Sequence, residues 1–420
     1  MSDMLRDIIA RNKAGECIAI PSVCSAHPEV LSASLQLASS LKRPLVIEAT
    51  SNQVNQFGGY TGMDARAFVA FIDDLKSKYG IAPNMVELGG DHLGPQVWKS
   101  ETADRAMAKA HDLVSDYVRA GIKKIHLDCS EGCAGEPPML DDVTAAERAA
   151  LLAVSCLNAA PVPKDLIFVI GTEVPAPGGA RLGEDGHIIP TSPEAAVKTL
   201  MAHRAAFAEK GIADSWPQVT GLVVQPGVEV GPDHVFTMAN GTDTGLRDAI
   251  SEYPEICLEA HSTDFQPPET FVKLSNMGFA IQKVGPALTF ALRRALYALD
   301  HIVQELNPSA VTLPQVMEAA MRSNPEHWRS HYSEDDMSKW HCSYADRIRY
   351  YWPLPAVKEA VQSLISTFDE LKVPEHILAK SFSSDVLERS EGLTASRGHA
   401  IVRSEVQGAL LPYFLGDRGD

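Results

Sequence analysis

Residues 85–92, MVELGGDH, and residues 124–130, KIHLDCS, decide how the chain is read. Each is a short apolar run that closes on ionisable residues, Asp91-His92 in the first and Asp128 in the second. Between them, Ala103–Ala120 (ADRAMAKAHDLVSDYVRA) repeats its apolar residues at helical spacing, with Ser100 and Thr102 as caps and Gly121 as the stop. Strand, helix, strand is one βα repeat. Six further runs lie outward from this pair: CIAIPSVCS from Cys17, PLVIEATS from Pro44, LIFVIGTEV from Leu166, VTGLVVQPG from Val219, ICLEAHST from Ile256 and FAIQKVGP from Phe279. Most are unbroken rather than alternating, as parallel strands covered on both faces require. A second intervening segment, Ser192–Lys210, opens Ser-Pro-Glu, a good helix N-terminus.

Eight βα units predict an α/β fold of the (β/α)8 TIM-barrel type over residues 1–306, with insertions. The competing doubly wound open sheet needs a phosphate-binding glycine loop after an early strand. Gly58-Gly59 and Gly178-Gly179 open no helix, so neither supplies it. Beyond Asn307 no strand-like run remains, and Glu318–Arg322, Ala356–Leu371 and Ser384–Arg389 read as helices. Residues 307–420 are therefore expected to form a C-terminal helical extension. Within it, Tyr344–Pro353 (YADRIRYYWP) is aromatic and basic in an acidic chain. It reads either as a helix packing tyrosines on a core, or as an interface or anion clamp built on Arg347 and Arg349.

The 420 residues carry 37 Lys and Arg against 54 Asp and Glu, a formal net charge of −17. Such a chain repels phosphate backbones and anionic lipid, which disfavours nucleic-acid and membrane-surface partners. No run of about 18 apolar residues predicts a membrane span. The N-terminal residues lack the apolar stretch of a signal peptide. Seven scattered cysteines argue for free thiols in a reducing, cytoplasmic setting.

Active sites of (β/α)8 barrels lie at the C-terminal ends of the strands. Here those ends collect Ser25 and His27, then Glu48 with Asn52 and Gln53, Asp91-His92, Asp128, Glu173, Gln225 with Glu229, His261 with Asp264, and Lys283. His92 and His261 suit a divalent ion, zinc first, with Glu229 or Glu173 as third ligand and one position left open. Asp91, Asp128 and Glu173 are the candidate acid–base carboxylates. Candidate substrate contacts are His27, Glu48, Asn52, Gln225, Asp264 and Lys283. A metal that polarises a carbonyl while a carboxylate moves a proton suits aldol cleavage, enolisation or epimerisation of a polyhydroxy ketone.

The segments ATSNQVNQFGGYTGM (Ala49–Met63), LGGDHLGP (Leu88–Pro95), KIHLDCS, GTEVPAPGG (Gly171–Gly179), VVQPGVE (Val223–Glu229), EAHSTDFQ (Glu259–Gln266), KVGPALTFALR (Lys283–Arg293) and DRIRYYWP (Asp346–Pro353) closely resemble one family. It is the non-catalytic, Z-type subunit of class II D-tagatose-1,6-bisphosphate aldolase, of galactitol and N-acetylgalactosamine catabolism, also labelled tagatose-6-phosphate kinase. The wider resemblance, to catalytic class II aldolases, implies Asp91 as acid–base, His92 and His261 on zinc, and Glu229 nearest their remaining ligand position. It also exposes a departure. Where those enzymes bind phosphate through backbone N–H groups, this chain reads HSTDFQ and KVGPALT. There Asp264 repels an anion and Pro286 lacks an N–H. No GxxxxGK[ST] loop occurs, which argues against the kinase label.

The family resemblance implies a subunit that completes or stabilises a catalytic aldolase partner. The constellation itself points to an alternative, an autonomous metal-dependent ketose or ketose-6-phosphate 4-epimerase. Either form is expected to bind a sugar or sugar phosphate and to assemble as a homo-oligomer.

Overall fold

A computed structural model describes residues 3–171, 188–239, 241–308 and 311–414. The eight apolar runs are the eight strands of a closed barrel: β1 (Ile20–Cys24), β2 (Leu45–Thr50), β3 (Val86–Leu93), β4 (Lys124–Leu127), β5 (Ile167–Ile170), β6 (Val219–Val223), β7 (Cys257–Ala260) and β8 (Phe279–Val284). Every neighbouring pair is parallel, and the sheet closes where Ser22 of β1 pairs with Lys283 of β8. The helices form where the sequence places them. Ala103–Arg119 turns Ala106, Ala110, Leu113, Val114 and Tyr117 inward at three- and four-residue spacing. Pro193–Glu209 begins at Ser192, whose hydroxyl accepts the Ala195 N–H at 3.2 Å.

The helix Asp3–Lys13 closes the lower end of the barrel. Its Leu5, Ile8 and Ile9 pack against Ile20, Val46, Ile167, Cys257 and Ile281, the inward residues at the strand starts. Lys13 locks this plug by donating Nζ to the carbonyls of Tyr253 and Ile256, each at 2.8 Å.

The C-terminal segment is helical as read, with Leu313–Ser323, Pro355–Leu371 and Ser384–Glu391. The sequence reading had missed the helix Arg397–Leu410, which packs on the helices Pro28–Leu41 and Pro286–Leu306. One continuous apolar core joins the barrel helices to Val386, Ile401 and Tyr413. Arg403 Nε reaches Glu29 at 2.7 Å, and the Tyr413 hydroxyl donates to the Thr263 carbonyl at 3.0 Å. No helix among the described residues is long and apolar enough to cross a membrane.

Candidate functional site

Along β4 and the residue that follows it, Lys124, His126 and Asp128 alternate with Ile125 and Leu127, so the pleat turns the ionisable three to one side. That side is the barrel interior. The Lys124 ammonium lies 2.6 Å from Glu48 Oε1 on β2 and 2.8 Å from Glu259 Oε2 on β7, neither strand a neighbour of β4. From β8, Lys283 contacts Asp91, and lies 3.3 Å from both Glu48 and Glu259. Ser22 donates to Glu48 Oε2 at 2.6 Å. Gly89 makes room for this lattice, since a Cβ there would sit 2.5 Å from Glu48 Oε1. Three carboxylates thus face two ammonium groups away from water. The surplus formal charge is one negative unit.

Charge pairing, not burial, sets the ionisation of the lattice. Burial pushes the carboxyls of Asp91 and Glu259 up, but His92 and Lys283 outweigh it at Asp91, and Lys124 and Lys283 at Glu259. Both are held well below the carboxylate range. Burial opposes the Lys283 charge, and Asp91, Glu48 and Glu259 reverse that effect.

Three imidazoles stand above the lattice. The ring centres of His92, His126 and His261 lie 5.0 to 5.2 Å apart. Successive residues of a regular strand point to opposite faces, so Asp91 and His92 would normally part. A register shift between Gly90 and Leu93 and a left-handed φ of 47° at His92 break the alternation. Both side chains therefore enter the mouth.

Asp128 Oδ2 lies 2.7 Å from His92 Nδ1, and Ser130 steadies Asp128 through a 2.6 Å bond. Burial disfavours the His92 cation, yet Asp91 and Asp128 raise its pKa above that of an ordinary imidazole. His126 and His261 behave differently. Burial lowers both, His261 to about 3 with Lys283 contributing, so these rings are neutral and offer lone pairs. His126 Nδ1 lies 2.9 Å from the ionised Asp91 Oδ1 and 3.2 Å from the His92 main-chain N–H. The His126 Nε2 is buried and has no hydrogen-bond partner among the described residues. Ligand atoms of Asp91, His126 and His261 all lie within 4.8 Å of one another, a buried group able to hold a metal ion. Two imidazole nitrogens and a carboxylate suit a divalent cation, and the unpartnered Nε2 fits one.

The remaining predicted residues are placed as follows. Glu48 and Lys283 belong to the lattice. His27 caps the helix Pro28–Leu41, its Nδ1 accepting the Glu29 N–H at 3.2 Å, and burial lowers its pKa to about 4. Asn52 is exposed in the turn after β2. Gln225 uses Oε1 to accept the N–H groups of Gly227 and Val228, at 2.8 and 3.1 Å. Asp264 accepts the N–H groups of Gly285 and Ala287, at 3.0 and 2.8 Å. Glu229 lies in a two-stranded ribbon with Val235–Phe236, outside the Asp91, His126, His261 group, and its Oε1 accepts the Val230 N–H at 2.9 Å. Glu173 lies outside the described residues. The sequence reading did not single out His126, Lys124 or Glu259. Their signal was the alternation in KIHLD and in EAH.

A family model described as D-tagatose-1,6-bisphosphate aldolase subunit GatZ/KbaZ-like matches residues 5–417. The D-tagatose 6-phosphate 4-epimerase of Agrobacterium fabrum (strain C58 / ATCC 33970) is 44% identical over 390 residues, 90% of either chain. A crystal structure described as a probable tagatose 6 phosphate kinase from Sinorhizobium meliloti 1021 superposes with a TM-score of 0.85 at 42% identity. That match covers 94% of this chain and 99% of the other.

Proposed function

The chain belongs to the D-tagatose-1,6-bisphosphate aldolase subunit GatZ/KbaZ-like family, and from that premise we propose that it is a divalent-metal-dependent 4-epimerase of a ketose 6-phosphate. The observation that carries this reading is the packing of His92, His126 and His261 with Asp91 over a buried lysine–carboxylate lattice. A subunit that only stabilised another would gain nothing from burying so many ionisable groups at one mouth. The 4-epimerase named among the relatives supports the same reading.

The hydrogen on C4 of a 2-ketose is not adjacent to the carbonyl, so direct removal of that proton is unfavourable. Reversible aldol cleavage avoids it. His92, oriented by Asp128, takes the proton from the C4 hydroxyl. The C3–C4 bond breaks, its electron pair passes to C3 and the C2 oxygen, and C4 becomes an aldehyde. The aldehyde turns over, the pair returns to its opposite face, and His92 gives the proton back. No co-reactant is consumed. Asp91, His126 and His261 would hold the cation. Zinc bound there would supply polarisation of the C2 carbonyl. Lys283 and Lys124 hold Asp91 and Glu259 ionised and tie both to Glu48, which keeps the mouth rigid.

The test uses the purified chain, stripped by chelator and reloaded with Zn²⁺ or Mn²⁺. D-tagatose 6-phosphate is followed by NMR in D2O. The expected outcome is conversion to D-fructose 6-phosphate with no deuterium at C4. His126→Ala should lose bound zinc by elemental analysis together with turnover, whereas His92→Gln should keep zinc and lose turnover. Absence of turnover in every metal-loaded sample would overturn the proposal.

The family's description as an aldolase subunit favours a second reading, in which the same chain also serves a catalytic aldolase partner. Val143 and Met201, 59% and 61% exposed on neighbouring helices, offer an apolar surface for one. A fall in partner activity on removal of this chain would separate that role from epimerisation.

A further inference from the structure

Among the described residues, the direct places for the substrate's phosphate in the site proposed above are already taken. The most direct anion site, the start of the helix Pro286–Leu306 after β8, is already filled. Asp264 accepts the N–H groups of Gly285 and Ala287 there, and Pro286 has none to offer. The two lysines at the mouth are committed to three carboxylates. Arg293, nearby, holds Asp346 at 3.3 Å.

The segment that begins at Ser343 lies across the open face of the barrel. The Ser343 hydroxyl and the Tyr344 N–H both donate to the Pro232 carbonyl beyond β6, at 2.8 and 3.0 Å. The Tyr344 ring meets Phe265 beyond β7 at 5.0 Å. Tyr350 meets Tyr60 beyond β2 at 4.7 Å, and Trp352 meets His27 beyond β1 at 6.2 Å. Four strand-end loops are thus bridged by ten residues. The buried Asp346, at a left-handed φ of 46°, turns the chain so that Arg347 and Arg349 flank the Tyr350 ring, at 5.3 and 5.0 Å.

From this placement we infer that Arg349, assisted by Arg347, binds the phosphate of the ketose phosphate, an inference that rests on the function proposed above. Neither guanidinium forms an ion pair with a carboxylate among the described residues. Arg347 Nε bonds to the His327 carbonyl, and Arg349 Nη1 to the carbonyls of Ala345 and Asp346. A guanidinium held by main-chain carbonyls keeps its full charge and its planar fork for an anion. Burial weakens the Arg349 cation, and the nearby Asp346 carboxylate works against that loss. Burial also pushes the Tyr60 phenol up, so its hydroxyl remains a proton donor beside the guanidinium. The extension would then decide whether the barrel accepts a phosphorylated sugar or a free one.

The experiment compares D-tagatose 6-phosphate with D-tagatose on the zinc-loaded full chain, as wild type, Arg349→Ala, Arg349→Lys and Arg347→Ala. Removing a charged hydrogen-bonding partner should lower the preference for the phosphate ester, as a ratio of kcat/KM values, by roughly 10- to 100-fold. The loss should sit in KM, with Arg349→Lys intermediate. An unchanged ratio in Arg349→Ala overturns the inference, whatever the absolute activity. If the wild type turns over neither sugar, the proposed function fails and the phosphate site is read separately by titration calorimetry. Affinity for D-tagatose 6-phosphate that falls in Arg349→Ala relative to D-tagatose supports it, and equal affinity in wild type and variant overturns it. Arg349→Lys guards against a folding artefact, because it keeps the charge and length.

Discussion

Replacing Glu29 by Gln tests how the C-terminal extension is fastened to the barrel. Glu29 opens the helix after β1, with its side chain 17% exposed, and accepts Arg403 Nε at 2.7 Å and Arg403 Nη2 at 3.2 Å, with His399 Nδ1 3.2 Å away. Burial alone would raise its pKa, but His399 and Arg403 hold it at about 2 against an ordinary 4.5. The lowering from 4.5 to about 2, at about 1.4 kcal/mol per pH unit, gives about 3.5 kcal/mol at neutral pH. A depressed carboxyl stabilises fully above its unfolded pKa and loses that contribution as pH falls through the folded value. Roughly half should therefore remain at pH 3. Glutamine still accepts a hydrogen bond from Arg403, so about 3.5 kcal/mol is an upper bound. Denaturant midpoints of wild type and Glu29→Gln, read by tryptophan fluorescence, should differ most near pH 7 and converge toward pH 2. A gap that stays constant across that range would refute the reasoning.

Asp264 should behave oppositely. Burial pushes its carboxyl up to about 6, despite the N–H groups of Ala287 and Gly285, so its ionised form costs stability as pH rises through the window from 3.8 to 6. Asp264→Asn keeps the acceptor and should gain up to about 3 kcal/mol at pH 8 and little below pH 4, measured by the same midpoints. Leu5→Ala opens a cavity in the plug at a fully buried position and should cost about 2–4 kcal/mol, with bound zinc and KM unaltered. Gly94→Ala places a Cβ 1.7 Å from the Asp128 carbonyl oxygen. The end of β4 must then move, which pulls Asp128 from His92, and kcat should fall at least about 10-fold with zinc retained.

Eight strands were legible because barrel strands are covered on both faces, which leaves runs such as PLVIEATS and LIFVIGTEV unbroken. The mouth was legible through Asp91, His92, Asp128 and His261, which end their strands. His126 was not. It sits inside the apolar run KIHLD, where a buried ring looks like core, and only the two-residue period shared with Lys124 and Asp128 marks its face. Glu259, two residues before His261, was hidden in the same way. Lys283, Glu48 and Asp91 each stood out singly, but not as partners, because they come from strands far apart in sequence. The use of Asp264 on the following helix likewise required the β7 and β8 ends to be side by side.

The plug beneath the barrel sets a timetable for synthesis. Leu5, Ile8 and Ile9 are made before any barrel strand, yet Cys257 and Ile281, two of the surfaces that cover them, are made only after six strands are complete. For most of translation the first helix carries an uncovered apolar face. Ring closure between β1 and β8 joins the oldest strand to the youngest, so native pairing waits until the chain from Ile20 to Val284 is made. A nascent chain stalled before β8 should therefore recruit hold-type chaperones through its own N-terminus, and release them when the ring shuts.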